Sequence, residues 1–160
     1  MPFLYNSSSC WMQPPKKALN LLDSITHSFF RSLFKSSKGN PLLMYYWDTK
    51  SLQTENILMM NKLLFLWHLS SLPHTSLAGE IYSLQRQDKS LPSVLSEFDV
   101  FLGELNIHAD PSNYSKKEWK RLISSRVHER NKNSLIQQLQ SSRKLDIEKI
   151  SSESYEEMST

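Results

Sequence analysis

The order of apolar and polar positions divides this chain into helical segments. Between residues 15 and 34, Leu19, Leu22, Ile25, Phe29, Phe30, Leu33 and Phe34 recur at intervals of three and four. That is the spacing of one face of an amphipathic helix. Pro15 suits its first turn, where a missing N–H costs nothing. Ser36, Ser37, Lys38, Gly39 and Asn40 then form a stop and turn. The pair Asn40-Pro41 predicts a second start, an Asn cap with Pro in the first turn. It leads into Leu42-Leu43-Met44-Tyr45-Tyr46-Trp47, which is apolar nearly all round and is expected to be buried between longer helices.

The densest apolar run follows. Residues 54–70 predict a central helix with Thr54 as its cap and Pro73 beyond its end. The stretch 57–69 is interrupted by Asn61 and Lys62 and falls short of the roughly 20 residues that a bilayer span needs. A core helix is expected there, with no membrane partner. Thr75 or Ser76 opens the next helix, through Leu77, Ile81, Tyr82 and Leu84 to about Gln87. Ser90-Leu91-Pro92 opens another, carrying Val94, Leu95, Phe98, Phe101, Leu102 and Leu105.

Residues 106–113 predict the longest loop, and Ser115-Lys116-Lys117-Glu118 is a capping box. In that motif a Ser hydroxyl meets one free amide and a Glu carboxylate reaches back to another. Tyr114 and Trp119 stand where a hydrophobic staple forms. The helix carries Trp119, Leu122, Ile123 and Val127, with a bend expected near Asn131-Lys132-Asn133 before Leu135, Ile136 and Leu139. The whole reads as an all-α domain, an irregular bundle of about six helices. Residues 1–14 are a poorly ordered lead-in, 15–145 the helical domain, and 146–160 a Ser- and Glu-rich frayed tail.

Composition narrows the function without naming it. Three Gly in 160 residues disfavour tight hairpins, which agrees with helices. A net charge of +3 permits nucleic-acid contact without demanding it. The single Cys10 excludes an intrachain disulfide and a Cys-based zinc finger, and points to a reducing, intracellular setting. The first residues lack a basic region and a long apolar core, so no signal peptide is expected.

The sequence contains no Gly-rich phosphate loop, no Gly-x-Ser-x-Gly and no His-Glu-x-x-His, so no cofactor is implied. His68 and His74 bracket a Pro-containing turn, but two ligands do not complete a four-coordinate metal site. Asp48 and Glu55 are paired carboxylates only in spacing, with no partner base, and are expected to be turn or cap residues. The one concentrated signal is basic: Lys116, Lys117, Lys120, Arg121, Arg126, Arg130 and Lys132 crowd a single helix, opposed there by Glu118 and Glu129. Lys116, Lys120 and Arg121 can line one strip of it, and such a strip attracts phosphates through Coulomb forces and counterion release. The plainer reading is the solvated face of an amphipathic helix. Trp11, Trp47, Trp67 and Trp119 are of a type that stacks on bases, but at helical spacing among Leu and Phe they are expected in the core.

The order of several segments resembles the region downstream of the polymerase in non-LTR (LINE-type) retrotransposon reverse transcriptases. Its carriers are Lys62-Leu63-Leu64-Phe65-Leu66-Trp67-His68-Leu69, Leu72-Pro73, Ser76-Leu77-Ala78 with Glu80-Ile81-Tyr82 and Gln85, and Leu91-Pro92 with Glu97. Tyr114-Ser115-Lys116 with Trp119-Lys120, and Lys144-Leu145-Asp146, continue it. Upstream, Trp11, Phe29-Phe30-Arg31 and Met44-Tyr45-Tyr46-Trp47-Asp48-Thr49 match in order, so the likeness covers about residues 4–150. Lys50 stands where the family usually has Gly, Trp67-His68 where it often has His-His, and Ser93 where it has Gly; these departures fit a decayed or repurposed copy. The family's Tyr-x-Asp-Asp metal-binding turn is absent, as are the paired carboxylates of two-metal phosphoryl chemistry, so no catalytic residue carries over. The resemblance implies a non-catalytic, retrotransposon-derived fragment whose partners are RNA or DNA, or a reverse transcriptase thumb domain in a longer polyprotein. The alternative is a helical protein–protein module, or a fragment without independent activity. Phe29, Phe30, Trp47 and Trp67 would then pack on that missing domain.

Overall fold

The computed structural model describes residues 14–35, 41–87 and 94–141. Within them lie six α-helices and one 3-10 turn, and no strand. In chain order the helices are α1 (Lys16–Phe34), α2 (Leu42–Thr49), α3 (Thr54–Ser70), α4 (Leu77–Gln87), α5 (Val94–Glu104) and α6 (Lys116–Ser141), with the 3-10 turn at Pro111–Asn113. The all-α reading therefore holds. The lead-in, the Asn40 cap, the Ser90-Leu91-Pro92 helix start and the tail lie outside the described residues.

Local chemistry accounts for most of the boundaries. Pro15 and Pro41 sit at the cap positions of α1 and α2, one residue before the first turn, in extended conformation. Ser76 caps α4: its hydroxyl accepts from the Gly79 N–H at 3.1 Å. Gly79 is buried, and the close Pro73 carbonyl oxygen, 2.3 Å from where a Cβ would sit, leaves no room for a side chain. Helices α1 and α2 end on left-handed residues, Lys35 and Lys50, whose N–H groups bond back to Arg31 and Trp47 carbonyls. The φ of Lys50, 53°, is the geometry that glycine adopts without steric cost.

Two cores form around α6. The larger one gathers Met59, Leu63 and Leu66 of α3, Leu95 and Phe98 of α5, and Trp119, Ile123 and Val127 of α6. The smaller one gathers Phe30 of α1, Tyr45 and Tyr46 of α2, and Leu135 of α6. Phe30 stacks on Tyr45 with ring centroids 5.7 Å apart and meets Tyr46 edge-on at 5.8 Å. Helix α2 is thus held between α1 and α6, as its all-round apolar character predicts.

Two sequence expectations change, for Thr54 and for the bend in α6, and two further placements emerge, in α1 and at Lys62. Thr54 is not the cap of α3. Gln53 occupies that position, its N–H donating to Asn131 Oδ1 at 2.9 Å, while the Thr54 hydroxyl is buried with no partner among the described residues. Helix α6 runs unbroken through residues 131–133, because Asn131 turns inward and bonds to α3 and the segment before it. The apolar face of α1 is only partly used: Leu22 and Phe30 are buried, whereas Leu21, Ile25, Phe29, Leu33 and Phe34 are exposed. Lys62, which interrupts the apolar run, is not turned to solvent. Its side chain is 1% exposed, paired with Glu97 of α5 at 2.5 Å and set over the Phe101 ring.

That pair has a testable energetic signature. Removing one partner strands a buried charge, whereas replacing both with apolar groups removes the desolvation cost. Lys62→Met alone is expected to cost about 3–5 kcal/mol in urea unfolding, and Lys62→Met with Glu97→Leu to restore or exceed the parent stability. Lys50→Gly is expected to raise stability by about 1 kcal/mol in the same measurement, because it relieves a left-handed non-glycine residue.

Candidate nucleic-acid interface

The seven basic residues singled out in the sequence all fall on α6. Its start is fixed by the capping box and staple that the sequence predicts. Glu118 Oε2 accepts from the Ser115 N–H at 3.0 Å and from the Ser115 hydroxyl at 2.6 Å, and the Glu118 N–H donates to Ser115 Oγ at 3.3 Å. The Tyr114 and Trp119 rings lie 5.8 Å apart. Two indoles then tie this end of α6 to α3. Trp119, fully buried, donates to the Leu63 carbonyl at 2.9 Å, and Trp67 donates to the Tyr114 carbonyl at 2.9 Å. Trp119 is therefore a core residue and offers no face to a base.

Burial fixes how α6 is rotated. Its buried residues are Trp119, Ile123, Val127, Asn131, Leu135 and Leu139, each four after the last. With about 3.6 residues per turn, rows of residues four apart form parallel ridges along the helix surface. The ridge one residue further round holds Lys116, Lys120, Ser124, His128 and Lys132. The next holds Lys117, Arg121, Ser125 and Glu129, about opposite the buried ridge. The third holds Glu118, Leu122, Arg126 and Arg130 and flanks the core on its other side.

The seven candidates accordingly separate. Lys116, Lys117, Lys120, Arg121 and Lys132 are exposed and form no ion pair among the described residues. Arg126 pairs with Glu129 at 3.3 Å. Arg130 reaches back across the bundle to Glu55 at 3.2 Å, Glu104 at 3.1 Å and Asn56 Oδ1 at 2.6 Å. Its guanidinium is a brace between α6, α3 and the end of α5, and it does not join the exposed strip.

One exposed residue was passed over in the sequence: His128 continues the Lys116–Lys120 ridge toward Lys132. The four-residue spacing was the signal that could have found it. Neither acid of the N-terminal and middle turns forms an ion pair with the strip: Glu118 is hydrogen-bonded to Ser115, and Glu129 is paired with Arg126.

The other candidate groups take structural places. Asp48 is exposed and Glu55 belongs to the Arg130 brace. His74 shares a hydrogen bond with Ser83 Oγ at 3.0 Å, and His68 lies 6.3 Å from the Phe65 ring. Among the described residues no three His, Cys, Asp or Glu side chains group as metal ligands, and no helix is long and apolar enough to cross a membrane. No family model, curated protein or solved structure matches the chain.

The capping box also sets a pH dependence. The Ser115 hydroxyl, and after it the Ser115 N–H, hold the Glu118 carboxyl below its usual range. The Ser112 N–H and hydroxyl do the same for Asp110, with Arg86 adding to them. Both groups are depressed, so their contribution to stability is present above the ordinary carboxylate pKa and is lost as pH falls through their lowered values. Ser115→Ala is expected to lower the thermal midpoint by about 2–4 °C at neutral pH. The gap between variant and parent should narrow near pH 3, followed by circular dichroism.

Proposed function

We propose that this chain is a non-catalytic helical module that holds RNA or DNA by its phosphates, similar in build to the post-polymerase region of LINE-type reverse transcriptases. The observation that carries the reading is the pair of adjacent ridges on α6, where Lys116, Lys117, Lys120, Arg121 and Lys132 stand exposed and unpaired among the described residues. Cations arranged this way release the counterions condensed on a nucleic acid, a gain that needs no base recognition. The helix N-terminus adds partial positive charge at the end where four of the five cluster. The reading assigns no catalytic residue, metal or cofactor.

A second reading is favoured by α1. Leu21, Ile25, Phe29 and Leu33 recur every four residues and form an apolar row on its exposed face. An apolar row left exposed among the described residues marks a protein-docking surface, and a reverse transcriptase thumb domain is the partner that the resemblance suggests. Of the four aromatics expected to meet such a partner, Phe29 is in this row, while Phe30 is buried and Trp47 and Trp67 are half-buried in the cores.

Filter retention of labelled RNA and DNA discriminates the two. Retention should fall steeply between 50 and 200 mM salt, as expected of a multi-cation contact with phosphates. The combined Lys116→Glu, Lys120→Glu and Arg121→Glu variant should bind roughly ten- to a hundredfold more weakly. Equal retention by that variant rejects the nucleic-acid reading. Phe29→Asp with Leu33→Asp should leave retention unchanged and should weaken only association with a protein partner.

A further inference from the structure

We infer that the α6 surface takes the backbone of a duplex in preference to a single strand, and without regard to base sequence; this rests on the nucleic-acid reading above. The first ground is what the two ridges carry. From residue 116 to 132 they present Lys, Ser, His, Arg and one Glu, the last already paired with Arg126. Sequence-tolerant single-strand binders combine cations with exposed aromatic platforms on which unpaired bases stack. Here the aromatic side chains at this end of α6 are committed inward. Trp119 is fully buried on the Leu63 carbonyl, Trp67 is bonded to the Tyr114 carbonyl, and the Tyr114 ring packs against Trp119. Among the described residues, a single strand laid on this surface would meet charge without an aromatic platform.

The second ground is shape. An α-helix presents a convex surface, and four of the five cations fall within residues 116–121, about 8 Å of axis at about 1.5 Å per residue, with Lys132 about 24 Å from Lys116. A duplex offers phosphates at one per about 1.7 Å of its axis, in two rails held rigidly by base pairing. The cations lie on two parallel ridges, so neighbouring side chains can reach phosphates on both sides of the contact line. A flexible strand would have to be ordered to match them, at an entropic cost that the duplex does not incur. Specific base reading needs bidentate donors directed into a groove, and of the five unpaired ridge cations Arg121 is the one guanidinium.

The test is a fluorescence-anisotropy titration of the full chain with matched labelled probes: a mixed-sequence 20-base-pair duplex, a scrambled duplex of equal length, and the corresponding single strands. The duplexes should bind at least about fivefold tighter than the strands and within about twofold of each other. The slope of log K against log salt on duplex should be about −4.5, set by the five cations on the ridges. Lys117→Glu with Arg121→Glu and Lys132→Glu should lower duplex affinity and flatten that slope. Single strands bound as tightly as duplex, or a strong preference between the two duplex sequences, overturn this inference and leave the nucleic-acid reading standing. Absence of binding to every probe at low salt, or binding unchanged in the triple variant, overturns both.

Discussion

Helices α3 and α6 are joined by side chains that hydrogen-bond across the gap between them, and the remaining helices are placed relative to that pair. At one end the Trp119 indole reaches the Leu63 carbonyl, and the Trp67 indole of α3 reaches the Tyr114 carbonyl just before α6. Toward the middle, Asn131 Oδ1 accepts from Asn56 Nδ2 at 2.8 Å and from the Gln53 N–H, while its own amide nitrogen donates to the Ser51 carbonyl. Arg130 closes the same region through Asn56 and Glu55. Each bond contributes only about 1 kcal/mol net, but leaving a buried partner unsatisfied costs more, which fixes register as well as distance. Apolar packing of Leu63, Leu66, Ile123 and Val127 supplies the larger share of the stabilisation.

That register decides what α6 shows to solvent. Its buried residues follow a strict four-residue interval, and with 3.6 residues per turn the buried row winds slowly around the helix. The first part of the row therefore faces the large core and its end, at Leu135, faces the aromatic core of α1 and α2. Asn131 stands where the two cores meet, and its polar side chain is satisfied there by the segment entering α3. The cations that avoid the buried row have no choice of location. Lys116, Lys120 and Lys132 fall on one ridge, Lys117 and Arg121 on the next, and Arg130, on the flanking ridge, is drawn inward by two carboxylates. Charge alone did not separate Arg130 from the rest. Its neighbours in space did, and they come from α3 and α5.

Several features were legible before any coordinates. The capping box at Ser115, the Tyr114–Trp119 staple, the extent of α3 and the concentration of cations on α6 follow from residues a few positions apart. Others were not. Thr54 has the chemistry of a cap but is displaced by the Gln53–Asn131 bond, formed across 78 positions of sequence. Asn131-Lys132-Asn133 has the composition of a break, yet the helix continues because Asn131 finds partners on α3. Lys62 reads as a polar interruption of a core helix; it is instead part of the core, paired with a carboxylate from a different helix.

By itself, the sequence determined the all-α architecture, the helix starts and stops that depend on local caps, and the clustering of positive charge on the last helix. Periodicity and capping act within one or two turns, so they are encoded by neighbours along the chain. Only the tertiary structure decided which basic residues face solvent, which polar residues are buried, and that one row of α1 is covered while the adjacent apolar row, Leu21 to Leu33, is left open. Those outcomes depend on which side of each helix meets another element. That choice is made by contacts between residues far apart in sequence, where composition carries no information about distance.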